Sequence, residues 1–322
     1  WGRDDLLPMW VADMDFRTPQ AVTDSIIKRA ENGIFGYTDI PDEWYCAYQK
    51  WWKDRYNFSI KKEWLIFTTG VIPAISSIIR KMTTPAENVV VMTPVYNMFF
   101  DSILDNGRNV LESRLVYNDG KYSIDFADLE EKLANPQTSM MILCNPHNPT
   151  GNIWNRDILD KIGKLCKKYH VLVVSDEIHC DITKPGISYI PFASVSDVCR
   201  DNCITCVAPT KTFNIAGIQT AAVIVADENI RHRVITGLET DHLAETNVFA
   251  ADAAAAAYSE GGEWLDGLRE YLWENRQFAE KLIKERIPQI KPVESDATYL
   301  MWLDCTDIAS DSDELKDFIC ER

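Results

Sequence analysis

A chain of 322 residues is long enough for about two domains with a large buried core. Its 46% apolar content, 14 glycines and 14 prolines are those of an ordinary globular protein. A formal charge of −16 argues against a nucleic-acid surface or an anionic membrane as partner, so any anion site must be built locally from amides and a few cations.

The first stretch is Leu6-Leu-Pro-Met-Trp-Val-Ala-Asp-Met-Asp-Phe16. Asp13 and Asp15 inside this apolar run predict a turn whose carboxylates cap backbone amides. A helix is expected over 19–32, with Thr18 as N-cap and Pro19 at the first helical position. Gly36-Tyr-Thr opens an aromatic-rich helix over Asp42–Tyr56. Leu65-Ile-Phe-Thr-Thr reads as a strand and 70–80 as the helix after it. Asn88-Val-Val-Val-Met92 is a buried strand ending at Thr93-Pro-Val-Tyr96. A helix at about 97–106 leads to Arg114-Leu-Val, then a helix over 125–134.

Met140-Met-Ile-Leu-Cys144 is the next strand, ending in Asn145-Pro-His-Asn-Pro-Thr-Gly151. A helix over 157–169 precedes the strand His170-Val-Leu-Val-Val174, which ends in Ser175-Asp-Glu-Ile-His179. Ile204-Thr-Cys-Val-Ala208 feeds Pro209-Thr-Lys-Thr-Phe213, and Ala221-Ala-Val-Ile-Val225 follows. From about 228 the pattern is helical, with one long helix over 263–286. Thr298-Tyr-Leu-Met-Trp-Leu303 then reads as a strand of a second, smaller domain. Continuously apolar strands alternating with helices predict an α/β fold, a mostly parallel sheet sandwiched by helices.

No apolar run approaches the ~18 residues a membrane span requires. Nine cysteines without a framework fit a reducing cytoplasm. Trp1 in place of Met, and Arg322 inside a helical pattern, lead us to expect a piece of a longer chain.

Lys211 sits between an apolar strand and a small, mostly apolar stretch. Partial desolvation there lowers an ammonium's pKa and yields a nucleophilic amine. For a lysine taken alone, snorkelling at a strand end is the better reading. Ligands of parallel sheets bind at the carboxyl edge, however, and Tyr96, Asn148, Asp176 and Lys211 all fall on that edge. Singly, these residues read as core packing, an Asn-Pro turn, a helix cap and a solvated amine.

Together they resemble the fold-type I enzymes that use pyridoxal 5′-phosphate (PLP). Within the class I/II aminotransferases the chain is most similar to the MalY/PatB group of cystathionine β-lyases, which cleave cysteine S-conjugates. The matching stretches are Met9 to Phe16, Ile34-Phe-Gly-Tyr37, Thr93 to Tyr96, Asn145 to Gly151, Ser175 to His179, Lys211-Thr-Phe-Asn-Ile-Ala-Gly217 and Ala297-Thr-Tyr-Leu-Met-Trp-Leu-Asp304. The resemblance implies an aspartate-aminotransferase-like fold in three parts. These are an N-terminal segment, 1–36, a large PLP-binding domain, 37–262, and a linking helix with the start of a small domain, 263–322.

The resemblance also implies roles. Lys211 bonds the PLP aldehyde and later takes the substrate Cα proton. Asp176 keeps the pyridine nitrogen protonated, Asn148 donates to the ring's phenolic oxygen, Tyr96 stacks on the ring, and His179 stands near the same oxygen. Gly70, Val71 and Ile72 open a helix whose amides suit the phosphate. Thr210 adds a hydroxyl, and Tyr37 reaches the phosphate of a neighbouring subunit in a homodimer. Ala208 stands where a serine is frequent, and Gln219 where a phosphate-binding arginine is frequent. The arginine that binds the substrate carboxylate has no match before Arg322.

The implied reaction is α,β-elimination on L-cystathionine or a related cysteine S-conjugate, giving thiol, pyruvate and ammonia. Nothing in the residues separates this from transamination. Two rivals are weighed beside it. Cys199, Cys203 and Cys206 have the C-x3-C-x2-C spacing of radical S-adenosylmethionine enzymes, although buried thiols explain them better. A non-catalytic regulator on the same fold is the other, against which intact Lys211, Asp176 and Asn148 argue.

Overall fold

The computed structural model describes residues 4–7, 9 and 11–321; Trp1, Arg322 and Trp10 of the first motif lie outside them. In chain order the elements are α1 (Gln20–Glu31), α2 (Asp42–Tyr56), β1 (Leu65–Thr68), α3 (Val71–Met82), β2 (Asn88–Thr93), α4 (Met98–Leu104) and β3 (Asn109–Arg114). A hairpin of β4 (Val116–Asn118) and β5 (Lys121–Ser123) follows, then α5 (Phe126–Ala134), β6 (Thr138–Cys144), α6 (Arg156–Lys168) and β7 (Leu172–Asp176). Next come α7 (Asp197–Asp201), β8 (Cys203–Val207), α8 (Pro209–Thr212), β9 (Ala221–Ile224), α9 (Glu228–Thr240) and α10 (Ala250–Glu260). The long α11 (Gly262–Arg286) leads to β10 (Lys291–Pro292), β11 (Leu303–Asp304) and α12 (Ser312–Cys320).

Seven strands form one sheet in the order β1-β9-β8-β7-β6-β2-β3. β3, β2, β6, β7 and β8 run parallel, and β9 is antiparallel to both its neighbours. The reason lies in the connection: no long crossover helix separates β8 from β9, and a parallel neighbour needs one.

Side chains alternate across the strands, and the core divides accordingly. Val89, Val91, Met140, Ile142, Val174 and Cys206 pack with α3 on one face. Val90, Met92, Met141, Leu143, Val173 and Cys203 pack with α5 and α6 on the other. At the β1 end that second face carries an aromatic core, where Trp44, Tyr48, Trp51 and Trp52 of α2 meet Phe213 and Tyr258. Cys203 and Cys206 therefore sit on opposite faces, and the three-cysteine spacing cannot converge on one cluster.

Several boundaries differ from the sequence reading. Pro19, in extended conformation, occupies the N-cap of α1 itself, and Thr18 does not cap the helix. No strand is expected between the helix at 97–106 and Arg114-Leu-Val, yet β3 runs over Asn109–Arg114, an edge strand that is not continuously apolar. The strand expected over 298–303 shrinks to Leu303–Asp304 paired with Lys291–Pro292.

Thr298 has φ 67°, which breaks that strand, and the segment docks on Gly151, Ile182 and Lys184 instead. Thr298 N donates to Ile182 O at 2.7 Å and Lys184 N to Asp296 O at 2.7 Å. Asp296 N and Ala297 N both donate to Gly151 O at 3.1 Å. Gly151 has φ 72°, and a Cβ there would lie 2.7 Å from Ala297 O and 1.9 Å from Ser295 Oγ. Only glycine fits that approach.

Candidate active site

Strand parity decides which side chains meet. Asp176 pairs in register with Cys144 and Cys206, whose side chains face α3. Its carboxylate therefore points to that face, and Glu177 points to the other. There Glu177 Oε1 accepts from Ser175 Oγ at 2.9 Å and from Phe192 N at 3.0 Å.

On the α3 side a cavity of about 190 Å³ opens at the carboxyl edge of the sheet. Its walls include Tyr96, Asn148, Asp176, His179 and Lys211, with Val71 and Ile72 from the first turn of α3. The wall also contains Ala12, Cys144 and Ile178, to which sequence reasoning gave no role. Gly70, Thr210 and Tyr37 are not among the lining residues. Gly70 is the N-cap of α3, where a Cβ would press to 3.2 Å of Pro73 Cδ. Thr210 stands beside Lys211 in α8, and Tyr37 is fully exposed.

The N-cap of α3 has no side-chain partner, and Pro73 has no N–H, so the amides of Val71 and Ile72 are its free first-turn donors. The turn that presents Asn148 is held by His147. This buried ring contacts Thr150 Oγ1 at 2.9 Å and Met92 O at 3.3 Å, and burial pushes its pKa down to about 4. Among the described residues the Asn148 carboxamide has no hydrogen-bond partner.

The charges of the cavity are incompletely paired. Burial pushes Asp176 up to about 6, against the pull of the Ile178 amide at 3.1 Å and of the Lys211 charge. Burial also lowers Lys211, while Asp13 and Asp176 favour its ammonium. His179 is buried, its Nδ1 has no partner among the described residues, and burial with the Lys211 charge pushes it down to about 3. Its imidazole is thus neutral at ordinary pH.

Lys211 Nζ donates to Ala12 O at 2.5 Å, and the same carbonyl accepts from Tyr299 OH at 2.8 Å. A backbone acceptor leaves no trace in a sequence. Tyr299 and Ala12 both lie within recognised stretches, which is the one signal that could have flagged them. The Asp13 charge favours the Lys211 ammonium, and among the described residues neither Asp13 nor Asp15 caps a backbone amide; the expected capping turn is not formed. Beyond residues 12–16 lies a wider cleft of about 450 Å³, with Asp13, Arg269, Trp273, Arg276 and Tyr299 on its walls. Both guanidinium groups there are held by backbone carbonyls, Arg269 by Thr183 O at 2.9 Å and Arg276 by Val293 O at 2.8 Å.

The family profile described as aminotransferase class I and II matches residues 4–317. The chain belongs to that family. It is 45% identical over 304 residues to cystathionine β-lyase PatB of Bacillus subtilis, covering 94% of this chain and 79% of that protein. It is 32% identical to protein MalY of Escherichia coli, over 100% of this chain and 82% of that one. The crystal structure of cystalysin from Treponema denticola, which contains a pyridoxal 5′-phosphate cofactor, superposes with a TM-score of 0.94 at 33% identity. That match covers 98% of this chain and 80% of cystalysin. The fold is therefore the fold-type I arrangement expected from the sequence, a mostly parallel sheet flanked by helices.

Proposed function

We propose that this protein is a PLP-dependent carbon–sulfur lyase that cleaves L-cystathionine or a related cysteine S-conjugate to thiol, pyruvate and ammonia. The observation that carries the reading is the single cavity where Lys211, Asp176, Asn148, Tyr96 and the start of α3 meet. The donor set fits the cofactor: one partly desolvated amine, one underpaired carboxylate, one unpartnered carboxamide, one neutral imidazole and free helix amides. The β-lyase relatives support elimination over transamination.

When bound, PLP supplies an aldehyde for an amine to join and a ring that accepts an electron pair from the substrate Cα. Lys211 would hold the aldehyde and, when free, its Nζ would take the substrate Cα proton. The Asp176 carboxylate would pair with the pyridine nitrogen. Asn148 would donate to the phenolic oxygen, with the neutral His179 ring in the same wall. Tyr96 would pack against the ring. The Val71 and Ile72 amides would receive the phosphate, and Thr210, next to Lys211 in α8, would add a hydroxyl. Overall the C–S bond breaks with its electron pair going to the thiolate, and water converts the remaining three-carbon unit to pyruvate and ammonia.

The exposed Ile34, Phe35 and Tyr37 support a homodimer in which Tyr37 serves the partner's phosphate site. Their loop contains no residue of its own chain's cavity.

The test is to incubate the purified protein with PLP and L-cystathionine and assay thiol and pyruvate, with and without a 2-oxo acid. Thiol and pyruvate in equal amounts without the oxo acid are the expected result. Product only when the oxo acid is present would instead make the protein an aminotransferase. Lys211→Ala is expected to reduce either activity on the order of 10⁴-fold.

A further inference from the structure

Residues 12–16 cross the lysine cavity as a strap, and the side chain that holds them has no role in the chemistry above. Asn214 stands three residues after Lys211 with φ 56°, a left-handed conformation that asparagine tolerates better than most residues. Its Oδ1 accepts from Met14 N at 3.1 Å. Its Nδ2 donates to Met14 O at 2.6 Å and to Phe16 O at 2.9 Å. Both amide donors and one acceptor site of the carboxamide are thereby engaged. A side chain that pairs with the N–H and C=O of one residue fixes that peptide as a neighbouring strand would. Two residues upstream, the Ala12 carbonyl receives Lys211 Nζ and Tyr299 OH. Because clamp and lysine share the segment 211–214, the strap is positioned relative to the lysine itself.

We propose that Asn214 is a positioning residue: it holds the strap over Lys211, so that the Ala12 carbonyl meets the amine whenever it is free. The proposal rests on the reading of Lys211 as the amine that joins an aldehyde, and adds how that amine is covered. The amine is faced from every side: by Asp13 on the strap, Asp176 at the end of β7, His179 just beyond, Tyr96 after β2 and Tyr299 above Ala12. Burial has the largest effect on it, and the two carboxylates oppose that effect. Releasing the strap returns water to the amine and withdraws the Ala12 acceptor that fixes its position, together with the Asp13 charge.

Asn214→Gly deletes all three bonds without straining a backbone at positive φ. Asn214→Asp keeps the acceptor for Met14 N and loses both donors, and it serves if the glycine variant does not fold. The probe is pyridoxal 5′-phosphate added to cofactor-free protein. Its capture rate on Lys211, trapped by borohydride and located by peptide mapping, is followed from about pH 6 to about pH 10. The profile of Asn214→Gly is expected to be displaced along the pH axis, and its capture near neutral pH to fall on the order of tenfold as the amine loses its fixed position. Asn214→Asp is expected to lie between. Tryptic cleavage after the exposed Arg17, next to the strap, should accelerate in the same order. Parent-like capture profiles or parent-like cleavage in the folded variants overturn the clamp, whatever the melting temperature does. Failure of the functional reading looks different: the parent protein then captures no pyridoxal phosphate at Lys211, and the clamp falls with it.

Discussion

Two buried carboxylates stand five residues apart, and their surroundings differ. Asp181 is saturated by its own chain. Trp51 Nε1 donates to it at 2.9 Å, Thr212 Oγ1 at 2.9 Å, and the Tyr56 hydroxyl as well. Asp176 receives one backbone amide and lies near one partly desolvated lysine. Burial raises both carboxyl groups, yet only Asp181 has side-chain donors arranged to offset the loss of water. The folded chain completes one site and leaves the other short of a cationic partner. A carboxylate kept underpaired at the carboxyl edge of the sheet is where the proposed cofactor would supply the partner.

Asp181→Ala tests the saturated site and should have the largest effect on stability. It strands an indole, a phenol and a hydroxyl where water cannot reach, and opens a small void. A loss of about 3–5 kcal/mol is expected, seen as a large drop in the melting temperature of cofactor-free protein. A drop no larger than that of an ordinary surface substitution would erase the contrast between the two aspartates.

Asp176→Asn should act in the opposite direction. The shift from 3.8 to about 6 corresponds to a cost of roughly 2–3 kcal/mol for keeping the carboxylate charged in the fold. A raised acid binds its proton more tightly folded than unfolded, so its stability contribution falls as pH rises from about 4 to about 6. The amide has no such cost. Cofactor-free Asp176→Asn is therefore expected to melt several degrees above the parent at pH 7, with the gap closing as pH falls to 4. Turnover with PLP should drop about 10²-fold or more, because the ring nitrogen loses its counter-charge. A variant neither more stable nor less active would mean that Asp176 is already paired within the chain.

The part of this site legible in the sequence is the part built on strand ends. Buried parallel strands appear as unbroken apolar runs, so the residues that end them stand out: Tyr96 after β2, Asn148 after β6, Asp176 in β7 and Lys211 after β8. Alternation then sends Asp176 and Glu177 to opposite faces, which period-two geometry dictates once β7 is placed. What stayed hidden is held by backbone. The Ala12 carbonyl has no residue signature, and Asp13 read as a turn residue because nothing local shows that Lys211, 198 positions later, lies beside it. Thr298 looked like a strand residue because β propensity says nothing of a left-handed φ imposed by docking on Gly151 and Ile182. The edge strand β3 went unread for the related reason that it lacks a continuous apolar run.

The finest division between the two aspartates is drawn at Thr212. Its hydroxyl bonds Asp181, and its backbone neighbour is Lys211, so it belongs to the saturated network in its side chain and to the cavity only through the chain. Thr212→Val keeps the shape and removes the donor, leaving Asp181 Oδ2 without its partner while Trp51 and Tyr56 keep Oδ1. The cost should be about 1–2 kcal/mol of stability. If Asp181 serves the fold alone, turnover at saturating substrate stays within about threefold of the parent, since no cavity contact changes. A tenfold loss of turnover with an unchanged melting temperature would join the two aspartates into one functional unit, transmitted through the 211–212 peptide. Thermal melting and turnover measured on the same preparation decide between these outcomes.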